Sequence, residues 1–301
     1  MHLFYKGRNM KNKKLKPKAT YAVNHSAYDM KRIEKMSEDE LRPLLLKEVS
    51  KMYPNEQFIK ELLKSEQSTA SLFEKDEEGN TILHKIAWHN HDDILPDILL
   101  KMKLSGKDGQ SYIDMVNESG MTALNIALEQ ESAEVARILI MMDANVKLDK
   151  IPPLINAIKN NLEDIAFLLI EKQCDVHATE SYLKTTSLMW AIERSMSDIA
   201  IELIKRGVSV EERDHNGETP LTLACKHDLS KVIRALLEAG ANPAKQNKTG
   251  WLPSQLCTKH VEKRFPELTS KKLKIRSIVE ARYITLSIEM ETAWKNILNK
   301  N

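Results

Sequence analysis

The stretch Asp214-His-Asn-Gly-Glu-Thr-Pro-Leu-Thr-Leu-Ala-Cys225, resumed by Lys231-Val-Ile-Arg-Ala-Leu-Leu-Glu-Ala-Gly-Ala-Asn-Pro243, decides the fold. Thr219 followed by Pro220 suits a helix start, because a hydroxyl accepts from an orphan amide and a proline in the first helical position sacrifices no bond. Leu221, Leu223 and Ala224 then begin a short helix, and Val232, Leu236 and Leu237 mark a second one at helical spacing. Gly217 stands in the preceding turn, where a positive φ would push a β-carbon into a clash. Such a unit carries an apolar stripe that it cannot cover alone.

The unit recurs. With Leu221 as anchor, equivalent leucines stand at Leu83, Leu124, Leu154 and Leu188, with spacings of 41, 30, 34 and 33, and Ser254 follows 33 further on. A near-constant period of this size signals a solenoid, in which stacked units bury one another's stripes. The tetrapeptides around the anchors read Thr81-Ile-Leu-His84, Thr122-Ala-Leu-Asn125, Pro152-Pro-Leu-Ile155, Thr186-Ser-Leu-Met189 and Thr219-Pro-Leu-Thr222. Small residues at Ala127, Ala157, Ala191 and Ala224 allow a neighbouring helix to come close. The second helices offer Val135, Ile138 and Leu139; Ile165, Leu168 and Leu169; and Ile199, Leu203 and Ile204. This block resembles the ankyrin repeat over residues 74–257, about five copies and a degenerate sixth. The resemblance implies an all-α solenoid of helix-turn-helix repeats with β-turn fingers, closed by helical N- and C-terminal caps.

Gly79, Gly120, Gly217 and Gly250 occupy the turn position, but Lys150 and Lys184 replace it in the third and fourth copies, and the connection before Leu154 is three residues shorter than that before Leu221. Either the turn is rebuilt there or a non-glycine residue accepts left-handed geometry at roughly 1 kcal/mol. The third and fourth repeats are therefore expected to be the least regular. The first interval is long because of the polar insert Lys103 to Tyr112, which reads as a surface loop or a contact loop. Trp190 falls in a register that places it in the core.

The flanks divide the rest. Residues 1–36 begin with seven basic residues and no acid in the first 20, a segment expected to be disordered. Residues 37–73 read as a helical cap or divergent repeat, with Leu41, Leu44, Leu45 and Val49 on one helix and Phe58, Ile59, Leu62 and Leu63 on the next. Ser37-Glu-Asp-Glu40 looks like a capping box, yet Pro43 would then lie inside the helix, so a start at Arg42 is the less strained expectation. Residues 258–301 comprise a basic connector, including Lys259, Lys263 and Arg264, and an amphipathic helix. Val279, Leu286 and Ala293 recur every seven positions there, as do Tyr283, Met290 and Ile297.

Composition excludes several classes. Charged residues at 29% and apolar ones at 42%, with a net charge of +2, describe an ordinary globular chain. No apolar run is long enough to cross a membrane. Cys174, Cys225 and Cys257 lack disulfide-framework spacing, which points to free thiols in a reducing, cytoplasmic setting. There is no phosphate-binding glycine loop, no His-Glu-x-x-His and no nucleophile elbow. His84, His89 and His91 cluster in sequence, but His84 matches the signature histidine that is structural in the ankyrin family. Neither catalytic residues, a metal nor a cofactor is expected.

The resemblance places a protein or peptide partner on the concave face formed by turn tips and first helices. Carried over by position, that face comprises Glu77, Glu78, Asn80, Trp88 and His89 in the first repeat, and Glu118, Met121 and Glu129 in the second. The fourth contributes Tyr182, Leu183, Glu193 and Arg194; the fifth, His215, Asn216, Glu218, Lys226 and His227; the sixth, Trp251. Trp88 and Trp251 read equally as binding anchors or as contacts to the caps. The function implied is a non-enzymatic protein-interaction module. Its glycine-poor, lysine- and isoleucine-rich usage and private flanks resemble those of effectors that bacteria secrete into host cells. Two other readings stay open: polyanion or nucleic-acid binding, or nuclear import, through the basic termini, and oligomerisation through residues 277–301 of a chain otherwise expected to be monomeric.

Overall fold

Threonine caps and left-handed turn residues, repeated in register, cut this chain into short helices. The computed structural model describes residues 36–64, 72–104, 112–147, 152–180 and 182–268. The basic N-terminal segment, Lys150, most of the insert after Leu104, and the heptad stripe of residues 277–301 lie outside the described residues.

A first pair, α1 (Glu38–Val49) and α2 (Glu56–Lys64), precedes the repeats. The repeats then alternate a first and a second helix: α3 (Ile82–His89) and α4 (Leu95–Leu104); α5 (Ala123–Glu129) and α6 (Ala133–Met141); α7 (Pro153–Lys159) and α8 (Glu163–Glu171). They continue as α9 (Ser187–Glu193) and α10 (Ser197–Lys205), then α11 (Pro220–Lys226) and α12 (Ser230–Glu238). A single turn, α13 (Pro253–Leu256), and α14 (Lys259–Arg264) follow. First helices pack on first helices, in the order α1, α3, α5, α7, α9, α11, α13, and second helices on second, in the order α2, α4, α6, α8, α10, α12. This is an all-α solenoid of stacked helix pairs, as the resemblance implies.

The first helices start alike for a chemical reason. The hydroxyls of Thr122, Thr186 and Thr219 accept from the backbone N–H three residues on, at 3.2 Å in each case. Pro152 replaces the threonine before α7, so that helix begins without a side-chain cap. Each first helix ends on a left-handed residue seven positions after the anchor leucine: Asn90, Glu131, Asn161, Ser195 and Asp228, all with φ between 54° and 58°. That reversal turns the chain back, and Leu139, Leu169, Leu203 and Leu236 are buried like the anchor leucines. Ile138, Leu168, Ile204 and Leu237 are only half-buried, on the outer flank of the second helices.

Two expectations need correction. The helix α1 starts at Glu38, not Arg42. The Ser37 N–H donates to the Glu40 carboxylate at 2.9 Å and the Ser37 hydroxyl accepts from the Glu40 amide at 3.4 Å, so the capping box forms and Pro43 lies inside the helix. Lys103 and Leu104 continue α4 instead of opening a loop. The start of the basic connector, after Thr258, is helical, with Val261 and Phe265 buried.

Candidate interaction face

The fingers begin the site. In the first, second, fifth and sixth repeats an Asp or Asn closes a turn of the same form. The backbone of Asp76 bonds Asn80 at 3.0 Å, and its carboxylate accepts from the N–H of Glu78 and Asn80. Asn117, Asp214 and Asn247 each use a side-chain oxygen likewise. The turn glycines Gly79, Gly120, Gly217 and Gly250 all have φ between 74° and 82°. Adjacent fingers are joined by backbone bonds, Glu118 N–H to Glu78 O at 3.1 Å and Lys248 N–H to Asn216 O at 3.2 Å.

The fourth finger is rebuilt. Its closing bond runs from Glu180 N–H to Thr185 O, one residue longer than elsewhere, and Lys184 takes φ 53°. Glu180 stands where other fingers carry Asp or Asn, and its longer side chain leaves the turn. One carboxylate oxygen accepts from Lys159 Nζ at 3.1 Å, the other from Trp190 Nε1 at 3.1 Å.

Trp190 is consequently not in the core. It is half-buried on the face of α9, with Lys159 Nζ 4.9 Å and the Arg194 guanidinium 6.0 Å from its ring centre. The same register is filled by buried Ile126 in the second repeat, Asn156 in the third and Leu223 in the fifth, and an indole is too large for that slot and needs an acceptor for its N–H. Lys159, Glu180 and Trp190 are thus residues of this face that sequence reading missed.

All eighteen carried-over residues are exposed or half-buried. Tyr182, Trp88 and Trp251 keep 90%, 56% and 49% of their surfaces open. Several are tied to one another. Glu193 lies 3.3 Å from His227 Nε2, and Glu78 shares Lys85 with Asp76. Burial works to raise the Asp76 carboxyl, but hydrogen bonds from Lys85 and Asn80 hold it below its ordinary value. Burial, then the neighbouring His91, lowers His89, whose ring stacks on His91 at 5.5 Å. Glu193, Asn216, Glu218 and Lys226 line a cleft of about 310 Å³ together with Asp214 and Lys248. There Glu218 accepts from Asn247 Nδ2 at 3.0 Å through one oxygen, while the other is buried without a partner among the described residues. Leaving such an oxygen unpaired costs about 1–3 kcal/mol. The described residues hold no group of three or more potential metal ligands, and no described helix is long and apolar enough to cross a membrane.

The model of one family, ankyrin repeats (3 copies), matches residues 47–151 and 152–247. Human Rabankyrin-5 is 29% identical over 174 residues, which is 58% of this chain but only 14% of that protein's own length. Among solved structures, the human ASB11 ankyrin repeat domain superposes with a TM-score of 0.57 at 20% identity, covering 74% of this chain and 96% of that one. The ankyrin repeat domain of Bcl-3 gives 0.53 at 19%, covering 73% and 94%.

Proposed function

The chain belongs to the ankyrin-repeat family, and on that premise we propose that it is a non-enzymatic module holding a protein or peptide segment across its fingers and first helices. One observation supports this reading: Trp88 and Trp190 on first helices and Tyr182 and Trp251 at fingers are exposed or half-buried, and three of them leave about half or more of their surface in water. Large aromatics are favoured as anchors because each buries 150–250 Å² while fixing few rotors.

Charge supplies direction. Glu77, Glu118 and Glu129 lie in the first two repeats, and Lys226, Lys248 and Lys259 in the last two, so a segment running from basic to acidic is steered into one orientation. The reading extends to a cytoplasmic setting. There, the secreted-effector resemblance makes a host protein the partner.

Capture from eukaryotic lysate tests it, comparing the intact chain with a folded variant carrying Trp88→Ala, Tyr182→Ala and Lys226→Glu. A protein held by the intact chain and lost by the variant is the expected result. Equal recovery by both sinks the assignment to this face.

A further inference from the structure

We infer that Cys225 and Cys257 form a redox modification site, closed into an inter-repeat disulfide by a small-molecule disulfide of the glutathione class. Cys225 lies in α11, which packs on α13, and Cys257 directly follows α13, so that the two thiols are close enough to perturb each other's ionisation. Their environments differ in the way such a pair requires. Cys225 is fully buried, whereas Cys257 is half-buried and reaches solvent. The Cys225 thiol donates toward the Cys257 sulfur, and that bond holds Cys257 below its ordinary value; the same bond, together with burial, pushes Cys225 up.

Cys257 is not held inside a helix. Helix α13 is only four residues long, and Cys257 leaves it in an extended conformation at φ −77°, ψ 154°. Its sulfur can therefore advance on Cys225 without breaking a long helix. The following residue is anchored, since Thr258 N–H donates to Asp228 Oδ1 at 3.1 Å, so the approach stays directed at the fifth repeat. Cys174 provides the contrast: it is buried without a thiol neighbour, and burial pushes its thiol up to about 12. Thiolate character and access together select the reactive sulfur, and only Cys257 has both.

The chemistry balances in two exchanges. The Cys257 thiolate attacks one sulfur of the reagent; the reagent's S–S bond breaks, a mixed disulfide forms, and one half leaves as a thiolate. The Cys225 sulfur then attacks Cys257 as its proton passes to the departing sulfur; the mixed S–S bond breaks and the second half leaves as a thiol. Two protein thiols are oxidised and one small disulfide is reduced. The new bond ties the sixth repeat, with Trp251 at its finger, to the fifth.

The test uses the full chain incubated with glutathione disulfide and then quenched with an alkylating agent. The expected product loses two hydrogen masses without gaining glutathione, and its non-reduced digest contains a linked peptide pair carrying Cys225 and Cys257. A Cys225→Ala variant is expected to stop at the mixed disulfide on Cys257, and Cys257→Ser to resist both steps. In the oxidised protein, amide exchange across Trp251 to Arg264 should slow by about tenfold or more and recover on reduction. A wild-type chain that keeps its glutathione adduct, reacts first at Cys174 or remains reduced overturns the site. Unchanged exchange in the linked protein overturns the tie between the repeats. The wild-type digest decides the matter even where a variant folds poorly.

Discussion

His84 is fixed in one neutral tautomer by its two neighbours. Its Nδ1 accepts from Thr81 N–H at 3.1 Å, so Nδ1 carries no proton and Nε2 donates to Met121 O at 3.0 Å. Burial is the main force lowering it, opposed by the Met121 carbonyl. The folded state therefore favours the neutral ring, and as pH falls the unfolded chain takes up the proton first. The stabilisation is complete above about pH 6.5 and declines below it, by up to about 1.4 kcal/mol per pH unit for this one group. Urea midpoints measured between pH 7.5 and 5.5 should fall in the native chain and fall less in His84→Gln. His89, shifted the same way by burial, supplies part of what remains. An identical slope in the variant contradicts the assignment. A second residue-scale prediction concerns the turn after α6, α8, α10 and α12, where Asp143, Gln173, Gly207 and Gly240 occupy one register with positive φ. Glycine is free there, and a side chain costs about 1 kcal/mol. Gln173→Gly is expected to stabilise by about that amount in chemical denaturation, and a loss of stability would show that Gln173 has a packing role.

Helix α1 survives a proline in its interior because its capping box satisfies two orphan amides and because Leu45 and Val49 are fully buried. Pro43 still removes the bond that would reach the Asp39 carbonyl, and its own ring is exposed. Pro43→Ala should stabilise the chain by about 1–3 kcal/mol, with slower amide exchange confined to α1 and the turn at Ser50 to Asn55. No change in denaturation midpoint would mean that α1 frays independently of the stack. This element also shows where sequence reading ends. The Ser37/Glu40 signature and Pro43 made opposed local arguments, and tertiary burial of Leu45 and Val49 decides between them. The fingers were legible from Gly79, Gly120, Gly217 and Gly250, since only a positive φ closes those turns. Trp190 was not, because its register says core while its volume and its N–H say otherwise. Lys159 was hidden by the shortened connection before Leu154, which blurred the third repeat's alignment, and Glu180 by a finger one residue longer than its neighbours.

Along the stack, each first helix packs on the one before and the one after it. Stability in such an array is close to a sum of unit terms and nearest-neighbour interfaces. The interfaces here include polar ties as well as apolar contact: Asn156 Nδ2 reaches Asn125 Oδ1 at 3.3 Å, Asn160 Nδ2 reaches Leu128 O at 3.1 Å, and Ser132 Oγ reaches Ala87 O at 3.1 Å. Ala157 sits fully buried in α7, which packs on both α5 and α9, and its small side chain sets how closely those helices approach. Ala157→Leu overfills that space and should cost about 1–3 kcal/mol. Because the strain enters two interfaces in mid-stack, it weakens the coupling between the halves on either side. Amide exchange should quicken in α5 to α10, leaving α1, α2 and α12 unchanged, and the denaturation curve should broaden toward two steps. Acceleration spread evenly from α1 to α14 would show instead that the stack opens as one cooperative unit, and the nearest-neighbour description would then fail for this chain.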